Sequence, residues 1–337
     1  MTLLDTFDRP LRSLRISVTD RCNLRCRYCM PEKSYNWLPA EDLLSFEEIT
    51  KVVEASMALG VRKVRLSGGE PLLRKDLPRL VGMLSALGLE DLALTTNGFL
   101  LKELAPALKE AGLHRLTVSL DTLREDRFEK LTSRKGPGPT LRGIRAAREA
   151  GFEGTRLNSI LMRGVNEDEA LDLVRFAREE GVEIRFIEYM DVGGARHWVM
   201  DQVVSGAEVR AILEEEFGPL VPAEAPDAAP ARRWKMADGS TVGTISSVTE
   251  PFCARCDRGR ITADGTWFSC LYARRGMDLR GPLRVGDAIE PLLREAWASR
   301  DARGAEERAA LGDEREVLHL PETLDADPHL EMHVRGG

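Results

Sequence analysis

Strand-like and helix-like patterns of apolar residues alternate along the first two thirds of the chain. Six short runs rich in β-branched and aliphatic residues predict strands at 14–19, 63–67, 92–97, 115–121, 155–162 and 183–190. Between them, apolar residues recur at helical spacing over 46–59, 100–111 and 167–180. The last of these segments starts with acidic residues after Asn166, which is typical of the first turn of a helix.

This alternation predicts a parallel sheet whose strands are joined by right-handed helical crossovers. Six strand–helix units are too few for a closed eight-stranded barrel, so we expect an α/β fold with an open (β/α)6 partial barrel over residues 1–217. In barrels of this kind, functional residues lie at the C-terminal ends of the strands and in the loops that follow.

The pattern changes after residue 217. Residues 222–230 are rich in Pro and Ala and predict a loop. The dipeptides Asp238-Gly239 and Asp264-Gly265 are each flanked by short β-prone runs, which predicts two hairpins. From about residue 305 onward no strong helical pattern is visible. We therefore expect a smaller C-terminal domain over residues 218–337.

Composition limits the function classes. The 337 residues are 43% apolar and 31% charged, as in ordinary globular proteins. No apolar h-region opens the chain and no stretch has the apolar length of a membrane span, so we expect a cytoplasmic protein with reduced thiols. The net charge of −7 argues against a nucleic-acid binder, so an anion site here would be a local group of cations.

The cysteines fall into two groups of three. The groups are Cys22, Cys26 and Cys29, directly after the first predicted strand, and Cys253, Cys256 and Cys270 in the C-terminal part. Iron–sulfur clusters take thiolate ligands and normally need four, so three thiols suit a cluster with one iron open to a small ligand. The alternatives are structural zinc, which usually shows paired Cys-x-x-Cys units and four ligands, and ordinary buried thiols, which would be scattered.

Five cations lie on predicted strands, where they are less expected than on helices: Arg15, Lys63, Arg65, Arg156 and Arg185. Residues two apart on a strand face the same side. Facing outward, these side chains would simply be solvated; facing inward, they would form a cage for an anion of several charges, since guanidinium groups suit phosphate. Arg258 and Arg260, on either side of Gly259, would extend such a cage toward Cys256.

The first cysteine loop, with an aromatic residue beside its last cysteine, resembles the signature of the radical S-adenosylmethionine (radical SAM) enzymes. The run Ser67-Gly-Gly-Glu-Pro71 would by itself be a turn, but beside this loop it resembles the motif that holds the amino group of SAM. The resemblance implies that the open iron chelates SAM and that an electron from the cluster splits it into methionine and a 5′-deoxyadenosyl radical. It also implies a SAM pocket lined by Tyr28, Gly69, Ser119 and Met190.

Further runs, spread over nearly the whole chain, resemble the GTP 3′,8-cyclase (MoaA) family of molybdenum cofactor biosynthesis. They are Gly-Gly-Glu-Pro-Leu-Leu-Arg at 68–74, Thr-Thr-Asn-Gly at 95–98, Ser-Leu-Asp-Thr-Leu at 119–123, Met-Arg-Gly-Val-Asn at 162–166, Arg-Phe-Ile-Glu-Tyr-Met-Asp-Val-Gly at 185–193, Phe-Cys-x-x-Cys with its Arg-x-Arg at 252–260, and the terminal Gly-Gly. The chain departs from the family pattern at Arg156, where Lys is usual, and at Asp257, where Asn is usual.

This resemblance implies two [4Fe-4S] clusters, one on each cysteine group, with SAM as a further cofactor and GTP as substrate. The radical would take hydrogen from C3′ of the ribose, and the ribose would then attack guanine C8, with the guanine edge held at the second cluster. The resemblance and the cation pattern together predict GTP contacts from Arg15, Lys63, Arg65, Thr96, Arg156, Arg185, Arg258, Gly259 and Arg260. The predicted catalytic residues are Cys22, Cys26, Cys29, Arg258 and Arg260, and the tail Gly336-Gly337 is expected to reach the Arg-rich cavity.

The resemblance further implies a flavodoxin-type or similar electron donor and a cyclic pyranopterin monophosphate synthase that accepts the product. It implies neither a nucleic acid nor a membrane as partner, and it leaves a homodimer as one oligomeric state. Two other functions stay open at this point. One is a radical SAM enzyme that modifies a peptide, although such enzymes usually carry more C-terminal cysteines. The other is a regulatory protein with two structural zinc sites.

Overall fold

The computed structural model describes residues 3–224 and 228–336. Its strands are β1 Ser13–Ser17, β2 Lys63–Ser67, β3 Asp91–Thr96, β4 Arg115–Ser119, β5 Arg156–Leu161, β6 Glu183–Glu188, β7 Val221–Ala223, β8 Arg232–Lys235, β9 Thr241–Ile245, β10 Arg258–Ile261, β11 Thr266–Phe268 and β12 Met277–Asp278. Its α-helices are α1 Phe46–Ala58, α2 Leu77–Ser85, α3 Leu101–Glu110, α4 Glu125–Thr132, α5 Gly138–Glu149, α6 Ala170–Glu179, α7 Gly206–Phe217, α8 Arg280–Val285, α9 Glu290–Ala298, α10 Gly304–Ala309 and α11 Pro321–Ala326.

The first six strands form the parallel centre of one sheet. They lie side by side in chain order, with each neighbouring pair parallel and at least one helix between successive strands. Each of the six predicted strands corresponds to one observed strand. The predicted open (β/α)6 arrangement is therefore confirmed.

Strands from the C-terminal part extend this sheet at both edges. β10 pairs in parallel with β1, and β9 pairs in parallel with β6. The two predicted hairpins are confirmed as the antiparallel pairs β8–β9 and β10–β11. Adding strands satisfies the backbone groups that an open sheet leaves unpaired at its edges. The division of the chain at 217/218 stays a prediction.

From residue 304 to 336 the chain contains two six-residue α-helices, α10 and α11, where the sequence shows no strong helical pattern. Helices of one or two turns contain too few apolar residues to show a periodicity. Along residues 3–224 and 228–336, no helix has both the length and the apolar character to cross a membrane.

The two faces of the parallel sheet differ in chemistry. On β1, Leu14 and Ile16 are buried and belong to the main apolar core, as do Val64 and Leu66 on β2. This core also contains the buried apolar residues of α1 and α2, so it lies between the sheet and its helices. Because side chains alternate along a strand, the residues between these four face the opposite side, the inside of the partial barrel.

Candidate active site

The first three cysteines lie in the loop that follows β1. The backbone N–H groups of Cys29 and Met30 both donate to the Cys26 carbonyl oxygen, at 2.9 and 2.7 Å. Burial, with a contribution from Glu70, raises the pKa of Cys22 to about 11. Burial and the neighbouring thiols also raise the pKa values of Cys26 and Cys29. Three partly exposed thiols that repel one another as thiolates fit a cationic iron–sulfur core, which would stabilise all three.

The two glycines after β2 pack directly against the entry to this loop. The Gly69 N–H donates to the Thr19 carbonyl oxygen at 2.9 Å, and the Glu70 N–H donates to that of Arg21 at 2.8 Å. A Cβ at Gly69 would lie 2.4 Å from the Arg21 oxygen, and one at Gly68 would lie 2.3 Å from the Thr19 oxygen. The glycines are therefore needed for the close approach that places the cysteine loop.

The Glu70 carboxylate organises the same region. It accepts hydrogen bonds from the Leu72 N–H at 3.0 Å, the Thr96 hydroxyl at 2.7 Å and the Asn97 N–H at 2.7 Å. Burial raises its pKa to about 7 although these donors lower it. Because the Thr96 hydroxyl is engaged with Glu70, its contact with GTP stays a prediction.

The other predicted SAM residues lie at neighbouring strand ends. Ser119 ends β4, and Met190 follows β6 by two residues. The Tyr28 hydroxyl donates to Asp121 at 2.6 Å, and the other Asp121 oxygen accepts from the Ile160 N–H at 2.8 Å. Sequence reasoning did not select Asp121 as a site residue, although it lies inside the Ser-Leu-Asp-Thr-Leu run.

The strand cations meet inside the barrel because of the strand register. Arg15 lies opposite Arg65 on β2 and opposite Arg260 on β10, which places three arginines in one row across three strands. One cavity of ≈ 370 Å³ is lined by six of the predicted GTP-binding residues: Arg15, Lys63, Arg65, Arg156, Arg185 and Arg258. We call this space the cation cavity.

Burial and mutual repulsion disfavour the charged forms of these arginines. Burial, with Arg115 nearby, lowers the pKa of Arg65 to about 9, and burial lowers those of Arg156 and Arg260 to about 10. The pKa of Arg15 is lowered by burial and by three neighbouring guanidinium groups. Like charges held close in a poorly solvated space repel one another, and a bound polyanion would remove that cost.

Two further arginines line the cation cavity that sequence reasoning did not select. Arg115 on β4 donates through Nε to Asp91 at 2.7 Å, and Arg233 on β8 donates through Nε to Glu183 at 3.1 Å. The signal that could have found them is the same one that found the others, a cation on a predicted strand.

The departure at Asp257 also belongs to this cavity. Its side chain lines the space with Lys63 and Arg258, and burial raises its pKa while both cations lower it. The other departure, Arg156, lies 4.0 Å from Glu183 and keeps a cation in the wall.

The second group of cysteines lines an adjoining cavity of ≈ 180 Å³ together with Met190, Arg258 and Arg260. Cys256 accepts from Arg300 Nη2 at 3.3 Å and from Arg258 Nη2 at 3.8 Å. Burial disfavours its thiolate, but these two arginines outweigh that effect and lower the pKa of Cys256 to about 7. A thiol that ionises near neutral pH fits a metal ligand. Nothing in the sequence pattern pointed to Arg300.

Gly259 has a packing role in this strand. A Cβ there would lie 2.0 Å from the Trp267 ring, so only glycine lets the indole cover β10. The predicted contact between Gly259 and GTP stays a prediction.

The thiols of each group do not converge on a single point at which one metal ion could bind. Within the described ranges, no three His, Cys, Asp or Glu side chains are arranged to hold a single metal ion. A four-iron cluster is ligated at separate irons, so its thiols need not converge on one point.

The C-terminal tail reaches the row of arginines. The Gly336 carbonyl oxygen accepts from Arg15 Nη1 at 2.9 Å and from the Ser67 hydroxyl at 3.2 Å. Just before it, the buried Arg335 guanidinium donates to two backbone carbonyl oxygens at 2.6 Å each. Gly337 lies outside the described residues, so its predicted contact with the cavity stays a prediction.

A three-cysteine loop after the first strand of an open (β/α)6 sheet defines a radical SAM protein. Residues 16–177 match the family model of the radical SAM superfamily, and residues 182–306 match that of Molybdenum Cofactor Synthesis C. The chain is 50% identical over 341 residues to GTP 3′,8-cyclase 1 of Mycobacterium tuberculosis (strain H37Rv), covering 99% of this chain and 95% of that protein. It is 46% identical over 320 residues to the GTP 3′,8-cyclase of Aquifex aeolicus (strain VF5), covering 94% and 98%. The chain therefore belongs to the GTP 3′,8-cyclase family.

A solved structure shows the same fold at low sequence identity. Streptococcus suis SuiB, in a crystal structure bound to S-adenosylmethionine, superposes with a TM-score of 0.62 at 16% identity. The match covers 88% of this chain and 68% of SuiB.

Proposed function

We propose that this protein is a GTP 3′,8-cyclase that converts GTP to (8S)-3′,8-cyclo-7,8-dihydroguanosine 5′-triphosphate in molybdenum cofactor biosynthesis. The observation that carries the proposal is that two cavities lie side by side. The cation cavity and the cavity of the second thiol group share Arg15 and Arg258 in their walls. One elongated molecule with a polyanionic end and a nucleobase end fits this arrangement.

Each cofactor has a matching set of residues. Cys22, Cys26 and Cys29 would hold the first [4Fe-4S] cluster, and Cys253, Cys256 and Cys270 the second. When bound, the first cluster and SAM supply the 5′-deoxyadenosyl radical that starts the reaction. Tyr28, Gly69, Ser119 and Met190 would orient SAM. Asp121 fixes the Tyr28 hydroxyl and so the direction of its ring.

The cation cavity would bind the triphosphate. Its guanidinium groups are already desolvated and held in register by the sheet, so binding requires little rearrangement of the strands. If position 156 needs only a cation, Arg156→Lys should change GTP binding little. The nucleobase would then point toward the second thiol group, past Arg258 and Arg260.

The tail is the third element of the proposal. Because the Gly336 carbonyl oxygen meets Arg15, the tail touches the same side chain that would bind GTP. We infer that it positions the triphosphate or the radical. Deleting Gly336 and Gly337 should leave cluster content and SAM cleavage without GTP largely intact while cyclised product falls sharply. A truncated enzyme with full cyclase activity would contradict this role.

Partners follow from the proposed reaction. A flavodoxin-type electron donor would supply the electron, and a cyclic pyranopterin monophosphate synthase would accept the product. Thiol ligands require a reducing compartment, which supports a cytoplasmic location. The homodimer stays a prediction.

The test is anaerobic reconstitution with iron and sulfide, followed by product analysis with GTP and SAM. We expect close to two [4Fe-4S] clusters per chain and formation of 3′,8-cyclo-GTP. Cys26→Ala should abolish SAM cleavage, whereas Cys253→Ala should lose GTP cyclisation and keep the first cluster able to cleave SAM. Cyclisation by the Cys253→Ala variant would refute a substrate-binding role of the second cluster. Metal analysis that finds zinc and no sulfide in the protein would refute the proposed enzyme.

A further inference from the structure

The outer side of the first cysteine loop is basic, although the whole chain carries a net charge of −7. Residues 21–35 and 130–135 contain seven basic residues and one acidic residue. These two segments are joined by backbone hydrogen bonds, from the Arg25 N–H to the Thr132 carbonyl oxygen at 2.8 Å and from the Arg27 N–H to that of Leu131 at 3.0 Å. They therefore form one surface beside the first thiol group.

We call this surface the basic rim and define it as Arg25, Arg27, Lys33, Arg134 and Lys135. Arg134 is tied to the cysteine loop itself, because its Nε donates to the Asn23 carbonyl oxygen at 2.8 Å. Arg27 lies between Cys26 and Tyr28 in the chain. The rim thus covers the loop that would hold the first cluster.

The charges of the rim are available to a partner. Arg27, Lys33, Arg134 and Lys135 are exposed, and none of the four forms an ion pair in the part of the chain that the structure describes. Two nearby acids are already paired, since Asp126 lies 3.4 Å from Lys130 and Glu32 lies 3.5 Å from Arg196. Uncompensated charge of one sign over a small area steers a partner of the opposite sign.

Two aromatic rings give the rim an apolar contact as well. The Arg25 guanidinium lies 5.6 Å from the Tyr35 ring centroid and 5.4 Å from that of Trp37. All three side chains are partly exposed. Tyr, Trp and Arg are the residue types that contribute most at protein–protein interfaces.

We propose that the basic rim is the docking surface for a small acidic one-electron carrier of the flavodoxin type. The inference rests on the proposed function, because only a reducible cluster at Cys22, Cys26 and Cys29 needs such a partner. In the step that the contact serves, the reduced carrier loses one electron and the cluster gains it, with no transfer of atoms. Docking there would place the carrier over the loop whose cysteines would ligate the cluster.

The test uses the reconstituted holoenzyme and an acidic FMN flavodoxin. The variant Lys33→Glu/Lys135→Glu reverses two rim charges, and Lys51→Glu/Lys102→Glu makes the same change of net charge on exposed faces of α1 and α3. Binding of oxidised flavodoxin is measured at low and high ionic strength. Electron delivery is measured as SAM cleavage driven by reduced flavodoxin, with dithionite as the alternative reductant.

We expect the rim variant to bind flavodoxin about tenfold more weakly at low ionic strength and to lose most of the salt dependence. Flavodoxin-driven cleavage should fall with it while dithionite-driven cleavage stays at the wild-type rate. The control variant should match the wild type in all three measurements. Equal weakening in both variants, or no weakening in the rim variant, would overturn the proposal. If dithionite failed to drive GTP cyclisation in the wild type, that result would count against the proposed function. The flavodoxin-binding measurements would still test whether the basic rim is the docking surface.

Discussion

Asp191 is the residue whose replacement should most clearly loosen the C-terminal segment. Its side chain is fully buried and accepts two hydrogen bonds from Arg315, at 2.7 and 3.0 Å, and one from Arg308 Nε at 2.7 Å. Its carbonyl oxygen accepts from the Leu318 N–H at 3.0 Å. The segment that it holds continues to Gly336 at Arg15, so Asp191 anchors the tail as well.

The change Asp191→Asn keeps the shape of the side chain and removes its charge. Arg315, whose side chain is 2% exposed, would then be a buried cation facing a neutral amide. Removing one partner of a buried ion pair typically costs about 3–5 kcal/mol. If the lower figure falls on local opening of the segment, the open population rises about a hundredfold, since each ~1.4 kcal/mol is a factor of ten.

Hydrogen exchange read by mass spectrometry on the holoenzyme measures this opening directly. Peptides covering 308–336 should lose about a hundredfold in protection, while peptides of the central strands should change little. GTP-dependent product should fall because the tail leaves Arg15. The matched control is Glu290→Gln, which breaks the exposed Glu290–Arg294 pair of α9 and should change almost nothing. If both variants showed the same protection over 308–336, Asp191 would not be the anchor.

Three further predictions address the substrate, packing and pH. Arg260→Ala should weaken GTP binding by roughly 2–5 kcal/mol in calorimetry and leave SAM binding unchanged, whereas equal loss of both ligands would indicate a folding defect. Gly259→Ala should lower the free energy of unfolding, measured by urea denaturation, by about 1–3 kcal/mol because the new Cβ would lie 2.0 Å from the Trp267 ring. The control Gly82→Ala has open space around its Cβ within α2 and should raise the free energy of unfolding by about 0.5–1 kcal/mol. A hydrogen bond to Asp264 at 2.7 Å raises the pKa of His329 above its usual value of about 6.5. The pair therefore stabilises the C-terminal segment below pH ~6.5, and this contribution is lost as the pH rises through the pKa of the folded state. His329→Gln should abolish that pH dependence, measured by hydrogen exchange of the segment.

The barrel and the thiol sets follow from local patterns. A strand of period two places Arg15 and Arg65 on the side opposite their apolar neighbours. The pattern left open whether that side faces solvent or the inside of the barrel, and the packing of the helices on the apolar side decided it. The cysteine groups could be found by spacing. The helices α10 and α11 could not, since six residues carry too little periodicity.

Contacts between distant segments required the folded chain. The arginine that lowers the pKa of Cys256 is Arg300, which comes from the turn after α9 and has no motif around it. Asp121 became a partner of Tyr28 only because the cysteine loop folds across the end of β4. Neither spacing nor composition encodes such a contact.

The sequence by itself determined the strand–helix order, the presence of cations on the strands and the two groups of thiols, because each depends on residues a few positions apart. The tertiary structure decided that β10 adds to β1 in the register that sets Arg260 opposite Arg15, and that Gly336 meets the same arginine. Which edge a strand joins, and in which register, depends on hydrogen bonds and packing between segments far apart in the chain. That long-range choice is what turns separate cations and cysteines into one site.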